Sequence, residues 1–320
     1  MSVAGRRAVR DAAERMLWSV EPDAAYRDWL QRTGAVFADP AWADPVARAL
    51  GLRVLYGFDA RRGEGVAVHL FRRLGVTVAF AGLPVTPTWL TDADARELEI
   101  PGAQLVRYNF SSLATNVAAS CDERAVEQPE SVIPDFGAWP VRGARKIKKD
   151  RAFALRSGLR LDDLDASHAP EVDALYHATV TRHRGRLRYG VDYFRTIIGL
   201  AAANPRVAAR GAFDEAGHVG GFAIFALDGT VAHYLHGGVA IDARARGASD
   251  LLLGDALDGM IARGAHSATL LPSPATQAGL LAFKRKWAEA DGAWLTIDRP
   301  QGLAGAAISA AVALSMRLRR

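Results

Sequence analysis

The stretch "AFDEAGHVGGFAIFALDGTVAHYLHG" (residues 212–237) sets the reading of the whole chain. After Phe213-Asp214 comes a polar, glycine-containing turn, then an apolar run, the tight Asp228-Gly229 pair, and a second apolar run. That succession describes consecutive antiparallel strands, with Asp-Gly a favoured hairpin turn. A second stretch, "GFDARRGEGVAVHLFRRLGVTVAFAG" (57–82), repeats the plan about 155 residues earlier, Phe58-Asp59 matching Phe213-Asp214. A duplicated α/β unit accounts for the pair, although two unrelated β meanders would give the same pattern.

Outward from 212–237, caps and periodicities place the neighbouring elements. "LRLDDL" (159–164) reads as a strand after Gly158, a C′ glycine closing a basic helix. Two helices follow, one with Pro170 in its first turn and apolar Val172, Leu175, Tyr176 and Val180, the other after Asp192 with Phe194, Ile197, Ile198 and Ala201. Strands at 206–213, 219–227 and 230–237 come next, then a helix from Ser249, whose hydroxyl suits an N-cap and whose end is marked by Gly264. Strand 267–271, helix 276–289 and strand 293–298 complete the order β-α-α-β-β-β-α-β-α-β. A doubly wound nucleotide fold alternates strand and helix throughout, so this order excludes it.

At 320 residues the chain exceeds the usual size of one hydrophobic core, and two domains are expected. With 50% hydrophobic and 23% charged residues the composition is globular, and a net charge of +5 with a pI near 9.5 tilts it mildly toward anionic partners. Cys121 is the sole cysteine, so no internal disulfide forms, as expected of a cytoplasmic protein. "MSVAGRRAVRDAAERMLWSV" has charges throughout and reads as an amphipathic helix rather than an export signal. The tail "GLAGAAISAAVALSMRLRR" holds about fifteen apolar or small residues, short of a bilayer span. It is expected either to dock on the protein or to rest on a membrane surface.

The element order resembles the GNAT acyltransferase fold. The duplication, "VFADPAWADPVARALG", the basic "RGARKIKKDRAFALRSG" and "GLLAFKRKW" together resemble the FemAB-like (FemABX) branch of that superfamily, over most of residues 35–298. The long coiled-coil arm of some aminoacyl-tRNA-using members has no counterpart here. The resemblance implies an α/β fold of two tandem GNAT-like domains, each a mixed, largely antiparallel sheet flanked by helices: 1–141, then 142–300 as the catalytic domain behind a basic linker helix, then a helical tail at 301–320. It further implies an N-acyltransferase that joins an acyl or aminoacyl group to an amine of an envelope precursor, polysaccharide or specialised metabolite. Acyl-CoA or aminoacyl-tRNA would serve as co-substrate, with no tightly bound cofactor. A monomer is expected, with tRNA a candidate partner. The rival reading is a non-catalytic GNAT-like scaffold for RNA or a membrane surface.

Four segments could carry the chemistry. "RARGAS" places Arg244, Gly247, Ala248 and Ser249 on the R-x-x-G-x-G/A spacing that GNAT enzymes use for the pyrophosphate of CoA, although Ser249 departs from it. Unpaired N–H groups and the positive end of a helix favour an anion there; a plain capped turn would look the same. In "VAHYLHGG" (231–238), strand alternation puts Tyr234 and His236 on one face as catalytic candidates. His236 would take the amine proton, unless it is simply a hydrogen-bonded sheet histidine. In "FKRKW", Leu280, Phe283 and Trp287 pack inward while Arg285 and Lys286 face water, and the resemblance gives Lys284 the role of polarising the acyl donor. In "TVTRHRGRLRYG" (179–190), Arg182 and His183 are candidates for acceptor binding. No nucleophile-elbow serine or metal-ligand spacing stands out.

The linker helix has a thin apolar seam of Ala144, Ile147, Ala154 and Leu155, which turns Arg142, Arg145, Lys146 and Lys149 outward as substrate-binding candidates or as a solvated face. If those side chains meet about five phosphates of a folded RNA, raising salt from about 50 to about 200 mM weakens binding on the order of a hundredfold to a thousandfold. Filter binding of charged tRNA at the two salt concentrations measures this, and a flat response assigns the helix to the wet surface.

Overall fold

The computed structural model describes residues 16–114, 125–139, 144–183 and 185–317, with 311–317 described by backbone alone. The chain forms two compact units, Met1–Glu127 with Trp294–Arg320 and, between them in sequence, Gln128–Ala293. The first unit contains β1 (Met16–Ser19), α1 (Ala24–Thr33), α2 (Pro40–Ala49), β2 (Arg53–Asp59), β3 (Glu64–Arg73), β4 (Val76–Ala81), α3 (Asp92–Glu97) and β5 (Leu105–Phe110). The chain then supplies β6 (Val126–Ile133), α4 (Ala144–Leu155), β7 (Arg160–Asp163), α5 (Ala169–Arg182), α6 (Val191–Ala203), β8 (Val207–Phe213), β9 (Val219–Asp228) and β10 (Val231–Val239). It ends with α7 (Ile241–Ala245), α8 (Ala248–Ala262), β11 (Ser267–Pro272), α9 (Ala278–Trp287), β12 (Ala290–Pro300) and α10 (Gly302–Arg317).

The repeat seen in sequence is a repeat of topology. Strands in the first unit run in the order β1-β2-β3-β4-β5-β12, and in the second β7-β8-β9-β10-β11-β6. In each, three consecutive antiparallel strands are followed by one parallel pair, β4 with β5 and β10 with β11. The outermost strand of each parallel side is exchanged. β6, which follows β5 in sequence, pairs with β11 (Ala268↔Ile133), while β12 returns to β5 (Leu295↔Phe110). The units therefore divide differently from boundaries at 141 and 300: residues 128–141 go with the second unit and Trp294–Arg320 with the first. Each strand's hydrophobic pattern marks it as a strand but does not name its partner.

Local chemistry explains most boundaries. Asp23 caps α1 by accepting from the Tyr26 amide, and Gly34, at φ 62°, ends it in the left-handed region. Asp228-Gly229 makes the expected hairpin, with Gly229 at φ 57° and Val231 paired with Asp228. In the second unit α4 and α8 pack on one face of the sheet and α5 and α6 on the other. Leu251, Leu252, Leu253, Ala256, Leu257 and Met260 are all buried on α8, because sheet and α4 cover it from two sides. Each leucine so buried contributes about 1.5–3 kcal/mol.

Several expectations are corrected here. Met16–Ser19 is a strand on β2, not the end of a helix, and the rest of the expected N-terminal helix, like Cys121, Arg142 and Arg184, lies outside the described residues. The seam of α4 runs through Ile147 and Ala154, whereas Leu155 is exposed. Arg151 joins the seam, its side chain lying against Gly254, where an added Cβ would fall 2.7 Å from Nε. α8 starts at Ala248 with Gly247 at its N-cap, so Ser249 sits inside the first turn rather than capping it. Among the described residues no helix is long and apolar enough to cross a membrane.

His69 on β3 and His233 on β10 are buried, and burial lowers their pKa values to about 4 and about 3. Below about pH 6.5 the unfolded chain takes up protons that these rings refuse, so stability falls as pH drops from about 6.5 toward about 4. Denaturant midpoints measured across that range should decline, and less steeply in His69→Leu; parallel slopes for the two proteins would refute the assignment.

Candidate functional site

β10 and β11 pair in parallel only at Val231↔Ser267, Ala232↔Ala268 and His233↔Thr269. Beyond that point β10 continues along β9 to Val239, while β11 turns away through a register shift against β6 between Thr269 and Pro272. Leu271, at φ 57°, occupies the left-handed region that leucine avoids, so the turn is imposed by its surroundings. The Thr269 hydroxyl accepts from the Leu271 amide at 2.9 Å and donates to buried Glu130 at 2.5 Å. On the other side, Lys284 Nζ donates to the Leu271 carbonyl at 3.0 Å and the Pro272 carbonyl at 3.4 Å. The kink is thus held from both its amide and its carbonyl sides.

Past the point where its pairing with β11 ends, β10 borders a cavity of about 150 Å³. Its inner wall is apolar, from Phe222 on β9, Leu252 and Leu253 on α8, and Leu280 and Phe283 on α9, while Thr179, Arg182, His183, Tyr234, Arg244 and Ser249 bring polar side chains. The equivalent place in the first unit is filled. There β4 and β5 pair at Val78↔Leu105, Ala79↔Val106 and Phe80↔Arg107, and the chain then folds back onto Asn109. Thr86 N donates to Asn109 O at 2.8 Å, Asn109 N to Thr86 Oγ1 at 2.9 Å, and Asn109 Nδ2 to Pro84 O at 3.1 Å. The first unit closes its own slot with backbone; the second leaves it open.

Five residues expected from sequence line this cavity together: Tyr234, Arg244, Ser249, Arg182 and His183. Tyr234 stacks on Phe225 with ring centroids 5.0 Å apart, and its hydroxyl lies over Gly237, where an added Cβ would fall 1.7 Å from it. Only glycine fits there. Burial pushes the Tyr234 phenol up to about 12, so it keeps its proton at neutral pH. His183 is lowered, by burial first and by the Arg182 and Arg244 guanidiniums next, so it stands neutral and able to accept a proton. Arg182 reaches the Val239 carbonyl at 3.4 Å and Thr179 Oγ1 at 3.3 Å, and among the described residues neither Arg182 nor Arg244 has an ion pair.

The other expected residues lie elsewhere. His236 does not share a face with Tyr234: the register shifts between them, leaving Leu235 as an extra residue and turning His236 toward α5 and α6. Its Nε2 is 2.7 Å from Tyr193 Oη, inside a box of Tyr176, Tyr189 and Phe194, and burial lowers it to about 3. It is hydrogen-bonded there and is not in the cavity lining. Lys284 sits behind the cavity wall, on the kink. Gly247, at φ 86°, meets α4 rather than open space, since a Cβ would fall 2.9 Å from Ala154 Cβ; Ala248 is buried beside it. Arg244 lies in the short helix α7 and not in an open loop.

Lys286, expected to face water, is half-buried and bridges Asp150, at 2.8 Å, and Asp250, which also accepts from Trp287 Nε1 at 3.2 Å. Arg285 is exposed and pairs with Asp291. Arg145, Lys146 and Lys149 are exposed on α4, away from the cavity lining, with Lys146 paired to Asp150 at 3.2 Å. Sequence reasoning missed the apolar wall: Phe222 and Leu253 look like any core residue until the gap behind them is known. Among the described residues no cluster of metal-ligating side chains occurs.

No family model matches the chain, and no curated protein matches it significantly. Solved structures do resemble it. FemX superposes with a TM-score of 0.61 at 12% identity, covering 89% of this chain and 97% of that one. The C-terminal domain of a candidate lysylphosphatidylglycerol synthetase from Agrobacterium fabrum gives 0.52 at 16% identity over 90% and 97%. L-PGS from Bacillus licheniformis gives 0.53 at 13% over 88% and 94%. The fold is therefore one shared with FemX and with these two proteins, two tandem units of mixed, largely antiparallel sheet flanked by helices.

Burial lowers the Lys284 ammonium to about 7 from 10.5, partly offset by Glu130. Between about pH 7 and that ordinary value the unfolded chain holds a proton the folded lysine has released, so the native state gains stability as pH rises. Relative to Lys284→Met, the wild type should gain up to about 1.4 kcal/mol per pH unit in urea unfolding from pH ~7 to ~9.5. A constant difference between the two would show that Lys284 remains charged.

Proposed function

We propose that the protein is an acyltransferase that moves an activated acyl or aminoacyl group, from acyl-CoA or aminoacyl-tRNA, to an amine of an envelope precursor, polysaccharide or specialised metabolite. One observation carries the reading: the pairing of β10 and β11 stops at His233↔Thr269, and β10 beyond that point borders the cavity lined by Tyr234, His183 and Arg244. The second unit is the catalytic one, its counterpart slot being filled in the first.

In this reading the donor carbonyl lies in the slot, where β10 beyond His233 has no strand partner on its β11 side. Backbone N–H groups there stabilise charge developing on oxygen. The amine nitrogen attacks the carbonyl carbon, a C–N bond forms, and the C–S or C–O bond to the carrier breaks. Neutral His183 takes the proton from nitrogen, and the Tyr234 phenol protonates the departing sulfur or oxygen. Arg244 and Arg182 hold carrier phosphates near the first turn of α8. Lys284 acts one step removed, by fixing the kink that parts the strands.

Incubation with a panel of acyl-CoAs and with charged tRNA, with and without RNase, followed by mass analysis of amide products, tests the proposal. Tyr234→Phe should lower kcat roughly 100-fold with KM little changed, the usual magnitude for losing a positioned acid. Absence of turnover with every donor favours the scaffold reading instead.

A further inference from the structure

We infer that the cavity of the second unit selects a neutral, apolar acyl group delivered on a phosphate-bearing carrier and excludes an acyl group that bears an ammonium. The inference rests on the transferase reading above and narrows it. Among the described residues lining the cavity there is no Asp or Glu. The charged lining residues are Arg182 and Arg244, with His183 beside them, and the remaining wall is dominated by Phe222, Leu252, Leu253, Leu280 and Phe283.

An ammonium carried into this space would leave its hydration shell, meet no carboxylate, and feel two guanidiniums of the same sign. Each effect opposes entry. The lining already shows the pressure on a resident group, because His183 is lowered by burial and by both arginines. A neutral acyl group suffers none of these costs and gains from contact with the apolar wall, and about 150 Å³ is room for a group the size of a benzene ring. The two arginines, which form no ion pair among the described residues, then suit the anionic carrier rather than the acyl group. The α-ammonium of an aminoacyl ester meets the same obstacle, so the carrier's identity and the acyl group's charge separate into two questions.

Thr179 is the lining position best suited to reversing the preference. It is half-buried, its Oγ1 accepts from Arg182, and aspartate is close to threonine in volume. Calorimetric titration of the full chain with heptanoyl-CoA and 6-aminohexanoyl-CoA compares two donors of equal chain length that differ in terminal charge. A second arm uses a minihelix RNA carrying N-acetylphenylalanyl or phenylalanyl ester. On the carrier that binds, the neutral member should bind at least tenfold more tightly, and Thr179→Asp should narrow the ratio severalfold. Leu280→Glu, on half-buried α9 surface, serves as a second carboxylate variant if Thr179→Asp fails to fold. Equal or tighter binding of the ammonium-bearing members overturns the charge selection and leaves the transferase reading intact. Failure of all four compounds to bind overturns both. Discrimination that survives unchanged in both folded variants removes it from this cavity.

Discussion

The site depends on one interruption of backbone hydrogen bonding. Two parallel strands that pair through His233 and Thr269 separate at the next residue, and a strand edge that loses its partner inside a protein needs compensation. β11 meets that need with a chain of polar contacts: Glu130 to the Thr269 hydroxyl, that hydroxyl to the Leu271 amide, and the Lys284 ammonium on the carbonyls of Leu271 and Pro272. β10 meets it with a bulge at Leu235, which keeps the β9 ladder while re-aiming the side chains around it. The cavity, the exposed face of Tyr234 and the position of the α9 wall all follow from these two local departures from ideal strands.

The same constraint explains why one unit of the pair is open and the other shut. In the first unit the segment after β4 turns back and Thr86 and Pro84 satisfy both the amide and the side chain of Asn109. Backbone groups left by the parting strands are paired there within the chain, and little is left for a ligand to do. In the second unit the chain after β10 enters α7 and α8 instead, carrying Arg244 and Ser249 to the rim of the gap.

Much of the fold was legible because strand, turn and cap chemistry act over a few residues. Phe-Asp before a glycine turn, Asp228-Gly229, Gly158 and Gly264 each mark a local event that the structure reproduces. The exchange of β6 and β12 was not legible, since partner choice between equally apolar strands is settled by packing over the whole unit. Tyr234, Arg182, His183, Arg244 and Ser249, singled out from element order and loop spacing, line one cavity. His236 was misread because a period of two assumes an unbroken ladder, and a single extra residue at Leu235 reverses every later side chain. Lys284, to which the resemblance gave the role of polarising the acyl donor, points toward the strand backbone and is not in the cavity lining, a direction that depends on a kink no local signal announces. The apolar wall carried no signal of its own: a leucine facing a void and a leucine facing a phenylalanine are the same letter.

The exchanged strands also constrain how the chain comes into being. β5 waits for β12, which is made only after nearly all of the second unit, so the first unit stays incomplete while that unit emerges from the ribosome. The second unit, by contrast, is contiguous from Gln128 to Ala293 and can close on itself as soon as it emerges. The half that carries the open slot is therefore positioned to fold first. The half made earlier must keep a bare strand edge out of trouble until β12 arrives, which places the aggregation hazard of this architecture at β5.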